Sequence, residues 1–117
     1  MTRENGVFAP IDEPNLQREI FAGKSIVVFV YADWCLPCRD MKNILHNHSE
    51  EISRALDAKK VEGRYMLNSD STRELQKKYN ILAIPASLAF SEGTHRGTLQ
   101  GTKAPIHYIN WLKTSFP

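Results

Sequence analysis

The chain lacks most of what would mark a membrane, nucleic-acid or metal protein. Its longest apolar run, which starts at Ile26, is far shorter than the about twenty residues a spanning helix needs. Met1 to Gly6 are polar and no apolar segment follows them, so no secretory signal is visible. A soluble product without membrane insertion is the expectation. The formal charge of +2 over 117 residues is close to balanced. Lys59-Lys60 and Lys77-Lys78 are doublets only, the pattern of solvated helix faces, and they do not suggest the clustered basic surface that nucleic acid needs. Internal repeats, low-complexity tracts and linkers are also missing. The length fits one core, read as a single domain over 7–117 behind a flexible start at 1–6.

What is present reads as alternating strands and helices. Val7-Phe8-Ala9 is a short edge strand, and Pro10 and Pro14 bracket a turn. Asn15 to Phe21 carries Leu16, Ile20 and Phe21 at helical spacing, with Gly23 as the stop. Ile26 to Tyr31 is apolar without alternation, which predicts a central strand buried on both faces. After it, Cys38, Met41, Ile44 and Leu45 form a helical stripe that His46-Asn47-His48-Ser49 interrupts. Ser49 is the expected cap of a second helix with Ile52, Ala55 and Leu56 inward. A strand follows within Val61 to Leu67, centred on Arg64 to Leu67 and weakened by Gly63. Asn68-Ser69-Asp70-Ser71 is a turn, and Thr72 to Tyr79 a helix ended by Asn80. Ala86 to Phe90 and His95 to Gln100 form a hairpin around Ser91-Glu92-Gly93-Thr94. Thr102 caps a last helix docked by Tyr108, Ile109, Leu112 and Phe116. Helical crossovers between the first three strands imply parallel pairing, and the hairpin adds an antiparallel pair. The fold class is therefore α/β, a mixed central sheet with helices on both faces.

The two cysteines, Cys35 and Cys38, sit two residues apart where the buried strand ends and a helix begins. That spacing alone allows redox chemistry, half a zinc site, or a structural disulfide. For zinc, His46 and His48 would have to complete the set. Structural sites more often space their histidines by three to five residues, and this pair lies across the helix break. No metal and no cofactor is expected. His95 and His107 read as surface residues.

The stretch Tyr31-Ala32-Asp33-Trp34-Cys35-Leu36-Pro37-Cys38 resembles the active site of the thioredoxin superfamily, a W-C-x-x-C at a strand-to-helix junction. Lys78-Tyr79-Asn80-Ile81-Leu82-Ala83-Ile84-Pro85 resembles the family segment that ends in a cis-proline facing the cysteines. Gly93 and Gly101 match the glycines of the hairpin turn and of the approach to the last helix. The resemblance covers residues 7 to 116 and implies a thioredoxin fold. Tyr-Ala-Asp-Trp-Cys and the interrupted second helix are similar to the periplasmic C-terminal domain of DsbD-type thiol:disulfide interchange proteins.

The resemblance implies a thiol–disulfide oxidoreductase, and the chemistry of the site agrees. A thiolate attacks disulfides, and a helix N-terminus favours negative charge. Cys35 is thus the expected nucleophile and Cys38 the thiol that resolves the mixed disulfide. Leu36 and Pro37 bring neither a cation nor a histidine, which points to a reducing or electron-relay role. Trp34, Leu36, Pro37, Ile84 and Pro85 are the expected substrate-binding residues. The implied partners are proteins with disulfides and a redox partner, either thioredoxin reductase-like or a membrane electron donor, acting on a monomer. The compartment is periplasmic if a signal or an anchor has been removed ahead of Met1, and cytoplasmic if 1–117 is the whole product. A binding adaptor with vestigial redox activity is the rival reading. Isomerase activity is a third, though such enzymes usually need dimers or several domains.

Three positions depart from the family pattern. Phe29 stands where thioredoxins carry a buried Asp, six residues before the first cysteine. Met66 stands where they often carry a Lys, and Lys42 where DsbD-type relatives carry a Glu. The usual acceptor for the Cys38 proton is therefore absent: either water or Asp33 serves, or resolution by Cys38 is slow.

Overall fold

A computed structural model describes residues 7–67 and 73–117. The elements run β1 (Phe8–Pro10), α1 (Glu13–Phe21), β2 (Ile26–Tyr31), α2 (Leu36–Asn47), α3 (Ser49–Lys59) and β3 (Glu62–Leu67). There follow α4 (Arg73–Lys78), β4 (Ala86–Ser91), β5 (Thr94–Gln100) and α5 (Pro105–Ser115). The expected loose start at 1–6 and the turn at 68–71 lie outside the described residues.

The sheet order is β1-β3-β2-β4-β5. β1 and β2 both pair in parallel with β3, while β4 pairs antiparallel with β2 and with β5. This is the mixed sheet expected from the element order. The reason lies in β2, whose side chains alternate between two cores. Val27 and Phe29 pack with Met41 and Leu45 of α2, Ile52 and Leu56 of α3, and Tyr108 and Leu112 of α5. Ile26, Val28 and Val30 pack with Leu16 and Ile20 of α1, Leu75 of α4, and Leu88 and Phe90 of β4. Both faces are covered, so the strand reads as an unbroken apolar run. Each of its five fully buried residues contributes roughly 1.5–3 kcal/mol of burial.

Several local expectations need correction. α1 begins at Glu13, because the Asp12 carboxylate accepts the Asn15 N–H at 2.9 Å and Pro14 fits the first turn. Phe21 is 94% exposed rather than inward, since Leu16 and Ile20 already complete the stripe. His48, not Ser49, holds the N-cap position of α3, without a side-chain hydrogen bond. β3 runs unbroken through Gly63, where a Cβ would stand 3.0 Å from the Val7 carbonyl and 3.2 Å from the Phe8 ring, a tight fit for any larger residue. β4 and β5 join through Glu92-Gly93, with φ of 55° and 76°, the two positive values of a type I′ turn. Ala104, not Thr102, precedes α5 as its N-cap.

On the α1 face of the sheet, the Glu19 carboxylate receives two bonds from the Arg64 guanidinium of β3, each 3.1 Å. Burial works to raise the Glu19 pKa, but Arg64 and Lys24 outweigh it and hold the carboxyl below its usual range. In the other core, the Ser87 and Tyr108 hydroxyls share a buried bond of 2.7 Å.

Candidate active site

β2 is the central strand, and its C-terminal end delivers the chain directly into α2. Ala32 is buried, Asp33 and Trp34 turn outward, and the Cys35 N–H donates back to the Ala32 carbonyl at 3.2 Å. Cys35 then takes extended dihedrals, φ −93° and ψ 110°, and becomes the N-cap of α2. Its cap is the sulfur itself. Cys35 Sγ accepts the Cys38 N–H at 3.2 Å, where a serine or aspartate oxygen would ordinarily sit. Pro37 occupies the first turn, where no N–H is needed.

Cys35 and Cys38 are joined by a disulfide, with their Cα atoms 5.2 Å apart. The Cys35 side retains 5% exposure and Cys38 none. The Ile84–Pro85 bond is cis, Pro85 is buried, and the Ile84 carbonyl oxygen stands 3.9 Å from Cys35 Sγ. Ala32, Cys35 and Cys38 form a small cluster of their own, against which Tyr31 and Ile84 pack. The distant segments 31–38 and 84–85 therefore meet, as their sequence patterns implied.

Around this centre the surface is apolar. Trp34 is 78% exposed and Leu36 66%, so Trp34 stands out from the sheet rather than packing on it. Leu82, two residues before Ile84, is 79% exposed. Leu82 is not among the expected site residues, because the apolar run Ile81-Leu82-Ala83-Ile84-Pro85 carries no local sign of which positions are buried and which exposed. Thr102 is also placed here, its hydroxyl donating to the Pro37 carbonyl at 3.3 Å, which explains why it does not cap α5.

Behind the cysteines, two of the three departures, Phe29 and Lys42, lie on the α2 face, and Met66 lies on the other. Phe29 is 2% exposed and stacks on Tyr31 with ring centroids 6.1 Å apart. Its direct partner on β3 is Tyr65, and Met66 pairs with Val30 and faces the opposite core. Met66 is therefore not beside Phe29, because adjacent residues of a strand point to opposite faces. Lys42 lays its ammonium 4.1 Å above the Tyr31 ring and 6.0 Å from that of Tyr65. Phe29, Tyr31, Lys42, Leu45, His46 and Tyr65 border a cleft of about 270 Å³, which gives solvent a route toward position 29. Burial foremost, then the Asp33 and Tyr65 charges, raise the Tyr31 pKa, so its hydroxyl stays protonated at neutral pH. His46 faces this cleft and His48 lies 3.5 Å from Glu51. Among the described residues no cluster of three or more His, Cys, Asp or Glu is arranged to hold a metal ion.

The arrangement can do one kind of chemistry well. A sulfur at a helix N-cap, already receiving a main-chain N–H, is a place where a thiolate is stabilised once the disulfide is opened. The second sulfur sits within bonding distance to close it again.

The thioredoxin family model matches residues 7–114. A thioredoxin from Rickettsia bellii is 33% identical over 91 residues, covering 77% of this chain and 80% of that protein. The thiol:disulfide interchange protein DsbD of Actinobacillus pleuropneumoniae is 26% identical over 102 residues, covering 83% of this chain and 18% of that much longer protein. The crystal structure of thioredoxin f from spinach chloroplast (short form) shares the fold, with a TM-score of 0.75 at 18% identity and 98% of each chain covered.

Proposed function

The chain belongs to the thioredoxin family and is a thiol–disulfide oxidoreductase, and on that footing we propose that it reduces protein disulfides with Cys35 as nucleophile. The supporting observation is the Cys35–Cys38 disulfide set at the N-cap of α2, with Cys35 Sγ receiving the Cys38 N–H. In the reduced enzyme the Cys35 thiolate attacks one sulfur of a substrate disulfide. The substrate S–S bond breaks, a Cys35–substrate mixed disulfide forms, and the first substrate sulfur leaves as thiolate. Cys38 gives its proton to water or Asp33 and attacks Cys35 Sγ, releasing the second substrate sulfur. Two electrons pass to the substrate, solvent protons complete its thiols, and the enzyme is left as the disulfide seen here. A partner dithiol, reductase-like or membrane-bound, returns it to the reduced state.

Trp34, Leu36, Pro37, Ile84 and Pro85 serve as the docking surface for an extended peptide. Trp34 and Leu36 supply exposed apolar area, and the Ile84 main chain lies alongside Cys35 for strand-like pairing. The domain, 7–117, acts as a monomer. The direction is reductive, because Leu36 and Pro37 place no cation or imidazole where they would hold the thiolate and make the disulfide oxidising. Insulin reduction coupled to dithiothreitol tests the activity. The wild type should accelerate it and Cys35→Ser should not. An adaptor would keep its partner binding in that variant and show no turnover in the wild type. Equilibration with glutathione tests the direction. A potential close to the about −270 mV of thioredoxin is expected, and one close to the about −120 mV of the strong periplasmic oxidase would overturn the reductive reading.

A further inference from the structure

We propose that Gln100 is a positioning residue that holds the substrate-docking loop in register with Cys35; this rests on the reading that a peptide docks beside Ile84. Gln100 is the last residue of β5, and its side-chain Oε1 accepts the main-chain N–H of Leu82 and that of Ala83, each at 2.9 Å. One oxygen thus satisfies two consecutive donors in a loop that has no sheet partner of its own. Next to it, the Gly101 N–H donates to the Pro85 carbonyl at 2.8 Å. The loop is therefore tied to the end of β5 on both sides of Ile84. Between the ties stands the Ile84 carbonyl, 3.9 Å from Cys35 Sγ.

The two ties differ in what they require. The Gly101 bond is main chain to main chain, from a residue whose φ of +89° is a glycine conformation. The other depends on the side chain at 100 alone. Leu82 and Ala83 are exposed, so without Gln100 their N–H groups would turn to water. The loop would then sample positions in which Ile84 no longer lines up with a peptide held at Cys35. The cost falls on binding an extended protein substrate and not on the bond-making at sulfur, since Gln100 touches neither cysteine.

The test uses the full chain with Gln100→Ala and Gln100→Glu. Glutamate keeps an oxygen at the same reach and should rescue. In Gln100→Ala the KM for insulin should rise about five- to tenfold, the loss of one or two net hydrogen bonds, with kcat and the equilibrium with glutathione within about twofold of wild type. Amide exchange at Leu82 and Ala83, read by NMR without substrate, should quicken about tenfold in Gln100→Ala and return in Gln100→Glu. An unmoved KM in Gln100→Ala, an equal fall in kcat, or a failed rescue by a folded Gln100→Glu would each overturn the inference. A wild type that does not reduce insulin would instead sink the functional reading itself, whatever the amides show.

Discussion

Replacing Phe29 by aspartate should make the protein less stable and the second chemical step faster. Phe29 is 2% exposed in the core shared with Met41, Leu45 and Tyr108. Truncating a buried phenylalanine costs about 3–5 kcal/mol, a large share of the about 5–15 kcal/mol that holds a domain together. A buried carboxylate adds to the loss, beside a cleft of about 270 Å³ that borders position 29. Phe29→Asn makes the same truncation without a proton acceptor, so it isolates the chemical effect. Burial raises the pKa of the new carboxyl. The Lys42 ammonium works against this, but it is seated over Tyr31 at 4.1 Å and reaches position 29 only across the cleft. With a folded pKa above the unfolded one, the Phe29→Asp variant is relatively most stable below the unfolded pKa. It loses that advantage as pH rises through the folded value. The same ionisation creates the base that accepts the Cys38 proton. Stopped-flow release of substrate from a preformed Cys35 mixed disulfide reads this step. Phe29→Asp should exceed Phe29→Asn by about a hundredfold above the new pKa, the lower end for a positioned base, and match it below. Equal rates across the pH range would refute the claim that the Cys38 proton limits this site.

Three further outcomes follow from the packing. Ser87→Ala leaves the fully buried Tyr108 hydroxyl without its 2.7 Å partner and should cost about 1–3 kcal/mol in urea unfolding, part of which Tyr108→Phe in the same chain recovers. Burial, against a smaller opposing effect of Ser87, raises the Tyr108 pKa above its ordinary 10.0. The associated stability is full below pH 10.0 and is lost as pH climbs beyond it, so the alkaline decline in melting temperature should shrink in Tyr108→Phe. Glu19 has the opposite sign. Its pKa is held below 4.5 by Arg64 and Lys24, so its contribution is present above that value and fades as pH falls through the lowered one. Glu19→Gln should therefore lose less stability than wild type between neutral pH and acid.

How much of this was legible in the sequence depended on whether the signal was local. Ile26–Tyr31 declared a doubly buried strand because every residue was apolar, and both cores of the fold are built on it. Cys35 and Cys38 were legible because a thiol pair at the start of a helix has few uses. The caps at Ser49 and Thr102 are not legible, since residue type states a preference and not the dihedrals, and the N-caps fall at His48 and Ala104. Thr102 in particular found a carbonyl at Pro37, 65 positions away. Phe21 fits the helical spacing of Leu16 and Ile20, yet it lies about 100° round from Ile20 at the end of α1 and is 94% exposed, because no element among the described residues covers that side. Tyr65 beside Phe29 needed the strand register, which no local pattern carries. Gln100 was invisible for the same reason, because its bonds reach back 17 and 18 residues to main-chain groups.

The central claim is that Cys35 attacks and Cys38 resolves. It is tested most directly by trapping: each single variant, Cys38→Ser and Cys35→Ser, is reduced, mixed with insulin, quenched with acid and mapped by mass spectrometry. A stable mixed disulfide on Cys35 is expected in Cys38→Ser. Cys35→Ser should yield almost none, because Cys38 is fully buried and lacks the cap position. Equal trapping on Cys38 in Cys35→Ser, or no adduct on Cys35, would contradict it.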